Sequence, residues 1–233
     1  MGSSDRPLAR CRSSHGLGLA LAFQAALSTQ HAKWTSTGGD GVASLRLACG
    51  SGSYSDCRQR SLPDLVVFDL DGCLWKRPRF RNGPPFSAID DGMGGVRAAS
   101  GEACDLFPAA RRALLELRGE GVPVAVASNS HREAWIREMM DLIRVEGGCT
   151  VSESIKALVV RDGAKVQHLR QLIRMMRDIE PTRVLYFDDR RKDVEETASN
   201  LGIRSIHCPD GLTDETFRQG LGLFSESSEK NLQ

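Results

Sequence analysis

The sequence has little net charge, no long apolar run and no Cys-x-x-Cys pair. Its 31 Lys+Arg against 30 Asp+Glu leave a formal charge of +1. A general nucleic-acid binder needs a basic field to displace counterions, so no nucleic-acid partner is expected. No stretch of about 18 apolar residues occurs, so a membrane-spanning helix is not expected either. The seven cysteines, Cys11, Cys49, Cys57, Cys73, Cys104, Cys149 and Cys208, are odd in number and scattered. That spacing suits neither a disulfide framework nor a Cys-rich zinc site, and leaves packed, reduced thiols. What remains is an ordinary globular composition, 40% hydrophobic and 26% charged. The length of 233 residues suits one medium domain with extra segments, and a monomer is the expected state.

The chain changes character near residue 61. Residues 1–61 hold Arg6, Arg10, Arg12, Lys33, Arg46, Arg58 and Arg60 against only Asp5, Asp40 and Asp56. Basic, Ser-rich and acid-poor is the composition of a transit peptide for a plastid or mitochondrion. The apolar run 17–27 (LGLALAFQAAL) offers the rival reading of a secretory segment, but Gln24 interrupts it and no clean cleavage site follows. A plain untargeted extension on a cytoplasmic protein is the third reading.

From residue 62 onward short apolar runs alternate with helical periods. Strands are expected at 65–70 (LVVFDL), 122–127 (VPVAVA), 183–187 (RVLYF) and 203–207. Helices are expected near 108–118, 130–143, 164–176, 192–201 and 213–221. This alternation predicts an α/β, three-layer Rossmann-like fold, a parallel sheet with helices on both faces. The domain is expected over 62–224, with a small cap insertion at about 76–106 and a flexible tail over 225–233.

In such sheets chemistry sits beyond the carboxyl ends of the strands. The first strand ends in Asp69-Leu70-Asp71-Gly72, and unpaired acids are not buried inside a strand. The second ends in Ser128-Asn129-Ser130, which could cap a helix or face an anion. Lys165 opens a helix, where a cation opposes the dipole. The third strand ends in Asp188-Asp189, and a helix cap needs only one acid. Each segment alone is a weak signal. Together, the carboxylates repel one another unless a hard cation joins them, and oxygen-only ligands suit Mg²⁺. Metal, hydroxyl and lysine suggest phosphoryl transfer.

The segments FDLDGCLW (68–75), PPF (84–86), GVPVAVAS (121–128), GAK (163–165), FDDRRKD (187–193) and LGI with IHCPDGL (201–212) resemble the haloacid dehalogenase superfamily. Within it they are most similar to the eukaryotic-type magnesium-dependent phosphatases, some of which act on phosphotyrosine. The resemblance implies a haloacid-dehalogenase-type fold and hydrolysis of phosphomonoesters, on a small molecule or a phosphoprotein. It also implies an aspartyl-phosphate formed on Asp69, with Asp71 as general acid and base. Mg²⁺ would be held by the carboxylates of Asp69 and Asp189 and the main-chain carbonyl of Asp71, with Asp188 and Asp193 around it. Ser128 and Asn129 would hold the phosphoryl oxygens and Lys165 would neutralise their charge. Two departures, Gly72-Cys73 and Asn129, lie where contact with the substrate is expected.

Two other classes compete. A phospho-accepting receiver module also uses strand-end acids, a hydroxyl and a lysine, but its acid pair comes first. Here Asp-x-Asp comes first and the adjacent pair last. A non-catalytic phosphate-binding relative would normally lose Asp69 or Asp71, and both are present. Because residues 1–61 supply no strand-end acid and no periodic core, a chain beginning at Ser61 is expected to keep the full kcat. Steady-state assay of the shortened chain checks this, and a large loss would place the segment inside the domain.

Overall fold

The computed structural model describes residues 61–89, 94–145, 148–177 and 179–230, with side chains to 225. The expected N-terminal extension, apart from Ser61, lies outside the described residues, as do Cys11, Cys49 and Cys57. Five parallel strands form the main sheet: β1 (Leu65–Phe68), β5 (Val124–Ser128), β6 (Ala157–Val160), β7 (Val184–Asp188) and β8 (Arg204–His207), in the order β6-β5-β1-β7-β8. Helices α1 (Pro108–Gly119), α2 (Glu133–Leu142), α4 (Lys165–Met175), α5 (Arg191–Leu201) and α6 (Asp214–Lys230) cover it, and α3 (Val151–Ser154) is a single turn.

Strand alternation divides the core by face. Val66, Phe68, Val126, Leu185 and Phe187 pack with Ala110, Leu114 and Leu117 of α1, Met139 and Met140 of α2, and Phe217 and Phe224 of α6. Leu65, Val67, Ala125, Ala127 and Tyr186 pack the opposite way, with Leu169 and Leu172 of α4. β1 is fully buried, which is why LVVF reads as a continuous apolar run rather than an alternating one. The three-layer α/β expectation therefore holds.

Three details differ from the sequence reading. The sheet has a fifth strand, β6, whose run Ala157-Leu158-Val159-Val160 carried the signal but is only four residues long. The cap segment, expected only as a small insertion, holds a three-stranded antiparallel sheet of β2 (Phe86–Ala88), β3 (Val96–Ala98) and β4 (Ala103–Cys104). Helix α6 continues to Lys230, through most of the stretch expected as a tail. Glu138 of α2 accepts a hydrogen bond from the Phe86 amide at 2.8 Å and anchors the cap to the main layer. Trp75 and Phe86 are buried in the core. The four described cysteines are buried and unbridged, as expected. No described helix is long and apolar enough to cross a membrane.

Leu114 is 1% exposed on the inner face of α1. Leu114→Ala removes three buried carbons and leaves a cavity, which should cost about 2–5 kcal/mol. Urea unfolding should show this as a lower midpoint at unchanged slope.

Candidate active site

Register brings the strand ends level. Phe68 of β1 pairs with Val126 of β5 and Phe187 of β7, so Asp69 emerges between Ala127 and Asp188. The Asp69 amide donates to the Phe187 carbonyl at 2.9 Å, the last rung of the ladder. The chain then turns sharply. The amides of Leu74 and Trp75 both donate to the Leu70 carbonyl, at 3.0 and 3.1 Å, and the Gly72 amide donates to the Trp75 carbonyl at 2.8 Å. Gly72 has φ +94°, and a Cβ there would fall 2.5 Å from Asp189 Oδ2. Only glycine both permits the turn and leaves room for that carboxylate.

Lys165 is the first residue of α4 and is 2% exposed. It is not the solvated lysine that is the usual fate of this residue. Its Nζ donates to Asp69 Oδ1 and to the Ala127 carbonyl at 2.6 Å, and lies 3.4 Å from Asp188 Oδ2. Asp188 is fully buried, and both its oxygens are engaged. Tyr186 OH donates to Oδ2 and the Arg190 amide to Oδ1 at 2.8 Å. It therefore bonds the N-cap residue of α5 rather than capping that helix itself. The carboxylate oxygens of Asp69, Asp188 and Asp189 converge within 4.8 Å. Asp189 Oδ1 is buried with no hydrogen-bond partner.

Burial pushes the Asp69 carboxyl up to about 7, against the pull of Lys165 and with Asp188 adding to the rise. Asp189 is raised as well, by burial and then by Asp188. Burial works against the Lys165 ammonium, but Asp69 and Asp188 outweigh it and hold the group above its ordinary value. The cluster thus carries more negative charge than one lysine offsets.

Asp71 stands apart from these carboxylates. Its Oδ1 accepts from Trp75 Nε1 at 2.6 Å, which orients the carboxyl, while its main-chain carbonyl lies 3.4 Å from Arg77 Nη2. Ser128 is buried at the end of β5. Asn129 is exposed, and its Nδ2 donates to the Gly163 carbonyl at 3.0 Å, tying the loop after β5 to the loop before α4. Asp193 is buried, with Oδ2 3.3 Å from Arg190 Nε. Cys73 corrects the sequence reading. It is fully buried beneath the turn, its thiol 3.5 Å from that of Cys208, and cannot meet a substrate.

Sequence reasoning missed Tyr186, Arg77 and His207. Tyr186 lies two residues before Asp188 on one strand, so period-2 alternation could have placed both side chains on one face. His207 Nε2 lies 3.0 Å from the Asp189 carbonyl and Arg77 Nη2 3.4 Å from Asp189 Oδ2. Neither contact had a local signal.

The sequence matches the family model described as Acid Phosphatase over residues 61–227. It is 30% identical to human Magnesium-dependent phosphatase 1 over 172 residues, covering 71% of this chain and 89% of that protein. Among solved structures, a haloacid dehalogenase superfamily hydrolase from Ehrlichia chaffeensis is 13% identical at a TM-score of 0.48, over 71% of this chain and 97% of that one. The phosphatase-domain part of BF1531 from Bacteroides fragilis, complexed with Mg, is 16% identical at a TM-score of 0.45, over 72% of this chain and 39% of that one. The chain belongs to this acid phosphatase family and is akin to the magnesium-dependent phosphatases.

Proposed function

We propose that the chain is a Mg²⁺-dependent phosphatase that hydrolyses phosphate monoesters through an aspartyl-phosphate on Asp69. The observation that carries this reading is the convergence of the Asp69, Asp188 and Asp189 carboxylates, the first two paired with the buried Lys165 and Asp189 Oδ1 left unpaired. An oxygen-only donor set, a buried oxygen without a partner and a cradle kept open by Gly72 fit a hard divalent cation. Asp69 and Asp189 would hold it, with the Asp71 carbonyl. Bound there, Mg²⁺ draws charge from phosphoryl oxygens and lowers the repulsion between two anions.

The chain's own residues supply the rest. Lys165 holds Asp69 Oδ1, which fixes the carboxylate and leaves Oδ2 to attack phosphorus. Ser128 and the Asn129 amide meet the phosphoryl oxygens as charge shifts onto them. Asp71, oriented by Trp75, gives its proton to the departing ester oxygen and then takes one from the water that cleaves the aspartyl-phosphate. The substrate on this reading is a phosphotyrosine side chain or a sugar phosphate, including sugars attached to amines.

Asp69→Asn should abolish Mg²⁺-dependent turnover. Asp71→Asn should slow formation of the intermediate by about 10²–10⁴-fold for an alkyl phosphate and far less for p-nitrophenyl phosphate, whose leaving group needs no proton. With the latter ester a product burst followed by slow turnover is expected in rapid-quench measurements. Equal slowing of the first step for both esters, with no burst, would remove Asp71 from the acid role.

The cation should also stabilise the fold in a pH-dependent way. The Asp69 carboxyl is raised from 3.8 to about 7, so without metal the folded state holds the proton more tightly than the unfolded one. Stability from this group is then present at low pH and lost as pH rises from about 4 through 7. Mg²⁺ should offset that loss, so its increase in Tm should be larger at pH 8 than at pH 5. Thermal unfolding with and without Mg²⁺ checks the sign.

A further inference from the structure

The rim of the site is strongly cationic although the whole chain carries a charge of only +1. Arg77 follows β1, Arg132 follows β5, Arg161 immediately follows β6, and Arg190, Arg191 and Lys192 follow β7. All six side chains are exposed. Among the described residues, the exposed acids on the corresponding loops and helix starts, with those after β8, are Glu133, Asp162, Asp210, Asp214 and Glu215; Glu133 is already paired with Arg137 at 2.7 Å and Asp214 with Arg112 at 2.6 Å.

These cations stand where local electrostatics does not favour them. Arg132 is the N-cap residue of α2, and Arg190, Arg191 and Lys192 run from the N-cap into the first turn of α5. The positive end of a helix dipole disfavours a cation by about 0.3–1 kcal/mol per site. Some of them are already engaged: Arg190 lies 3.3 Å from Asp193, Lys192 lies 3.6 Å from Glu196, and Arg132 stacks over the Trp135 ring at 4.4 Å. Among the described residues, Arg161 and Arg191 have no ion-pair partner. Arg77 makes only two long contacts, each 3.4 Å, and its side chain is 62% exposed. The inner carboxylates do not need this rim either, since Lys165 and the proposed cation already face them.

Resting on the phosphatase reading above, we propose that this rim selects phosphate monoesters that carry a second anionic group. The shared chemistry is an ester phosphate with a further phosphate or carboxylate beside it. A sugar bisphosphate and a phosphotyrosine peptide with acidic neighbours both present it. Helix N-termini and guanidinium groups that follow the carboxyl ends of several strands favour anions at that edge of the sheet. They should strengthen binding and speed encounter in a salt-dependent manner.

Calorimetry on the full chain carrying Asp69→Asn, in Mg²⁺, tests this without turnover. One pair of ligands is glucose 6-phosphate and glucose 1,6-bisphosphate. The other is a phosphotyrosine peptide flanked by Glu and the same peptide flanked by Gln. In at least one pair the ligand with the extra anion should bind about tenfold more tightly at low salt. Which pair shows the preference identifies the source of the anion. The preference should shrink to about twofold in roughly 0.5 M NaCl, because exposed charges are screened. Arg161→Gln with Arg191→Gln should shrink it likewise, and Arg161→Lys with Arg191→Lys should preserve it. Equal affinities within both pairs, or a preference unmoved by the Gln substitutions, would overturn the proposal. Failure of the phosphatase reading shows separately, as no Mg²⁺-dependent hydrolysis of p-nitrophenyl phosphate by the unsubstituted chain.

Discussion

The buried contact of Lys165 with Asp69 and Asp188 is the constraint on which the site depends. It joins residues from the ends of β1 and β7 to the first turn of α4, and through the Ala127 carbonyl it also grips β5. Taking these charges out of water costs several kcal/mol per ion, which only mutual pairing offsets. Removing the lysine alone would leave two carboxylates buried against each other, the costly half of such a network. The arrangement is therefore weak evidence for stability and strong evidence for a built electrostatic site. Its excess negative charge calls for a further cation at the same place.

The rest of the architecture serves to hold that contact. β1 is the middle strand of five and has no exposed residue, so the Asp69 carbonyl and amide neighbourhood is fixed on both sides by parallel ladders. Residues on alternate faces of β1 and β7 belong to different core layers, so a shift by one residue would exchange them. The same shift would turn Asp69 and Asp188 away from Lys165. Packing energy in the core thus specifies the register, and the register places the acids.

Around this rigid centre the turn after β1 and the cap decide access. The turn is closed by amides converging on the Leu70 carbonyl, with Cys73 and Trp75 packed beneath it. Its polar face is left to Asp71, Gly72 and Arg77. The cap is small and anchored by Glu138 and by the contact of Phe86 with Trp135 at 6.2 Å, so it flanks the site with little bulk of its own.

Much of this was legible in the sequence because it is written in local patterns. Apolar runs ending in acids, Gly72 after Asp71, and Lys165 at a helix start each followed from spacing and burial cost. Together they placed the carboxylates, the hydroxyl and the lysine at one sheet edge before any coordinates. The short run 157–160 escaped because four apolar residues do not distinguish a strand from a fragment of helix. Trp75 and Phe86 lie in the core, and composition alone does not tell which side of a turn an aromatic ring takes. What only the tertiary structure decided lies across long sequence separations. Examples are the pairing of Lys165 with Asp69, the unpaired Asp189 Oδ1, the retreat of Cys73 to Cys208 and the approach of Arg77 to Asp189. Sequence alone determines which residues can ionise and where strands end. Which of those groups meet depends on strand order and register, set by packing across the whole sheet.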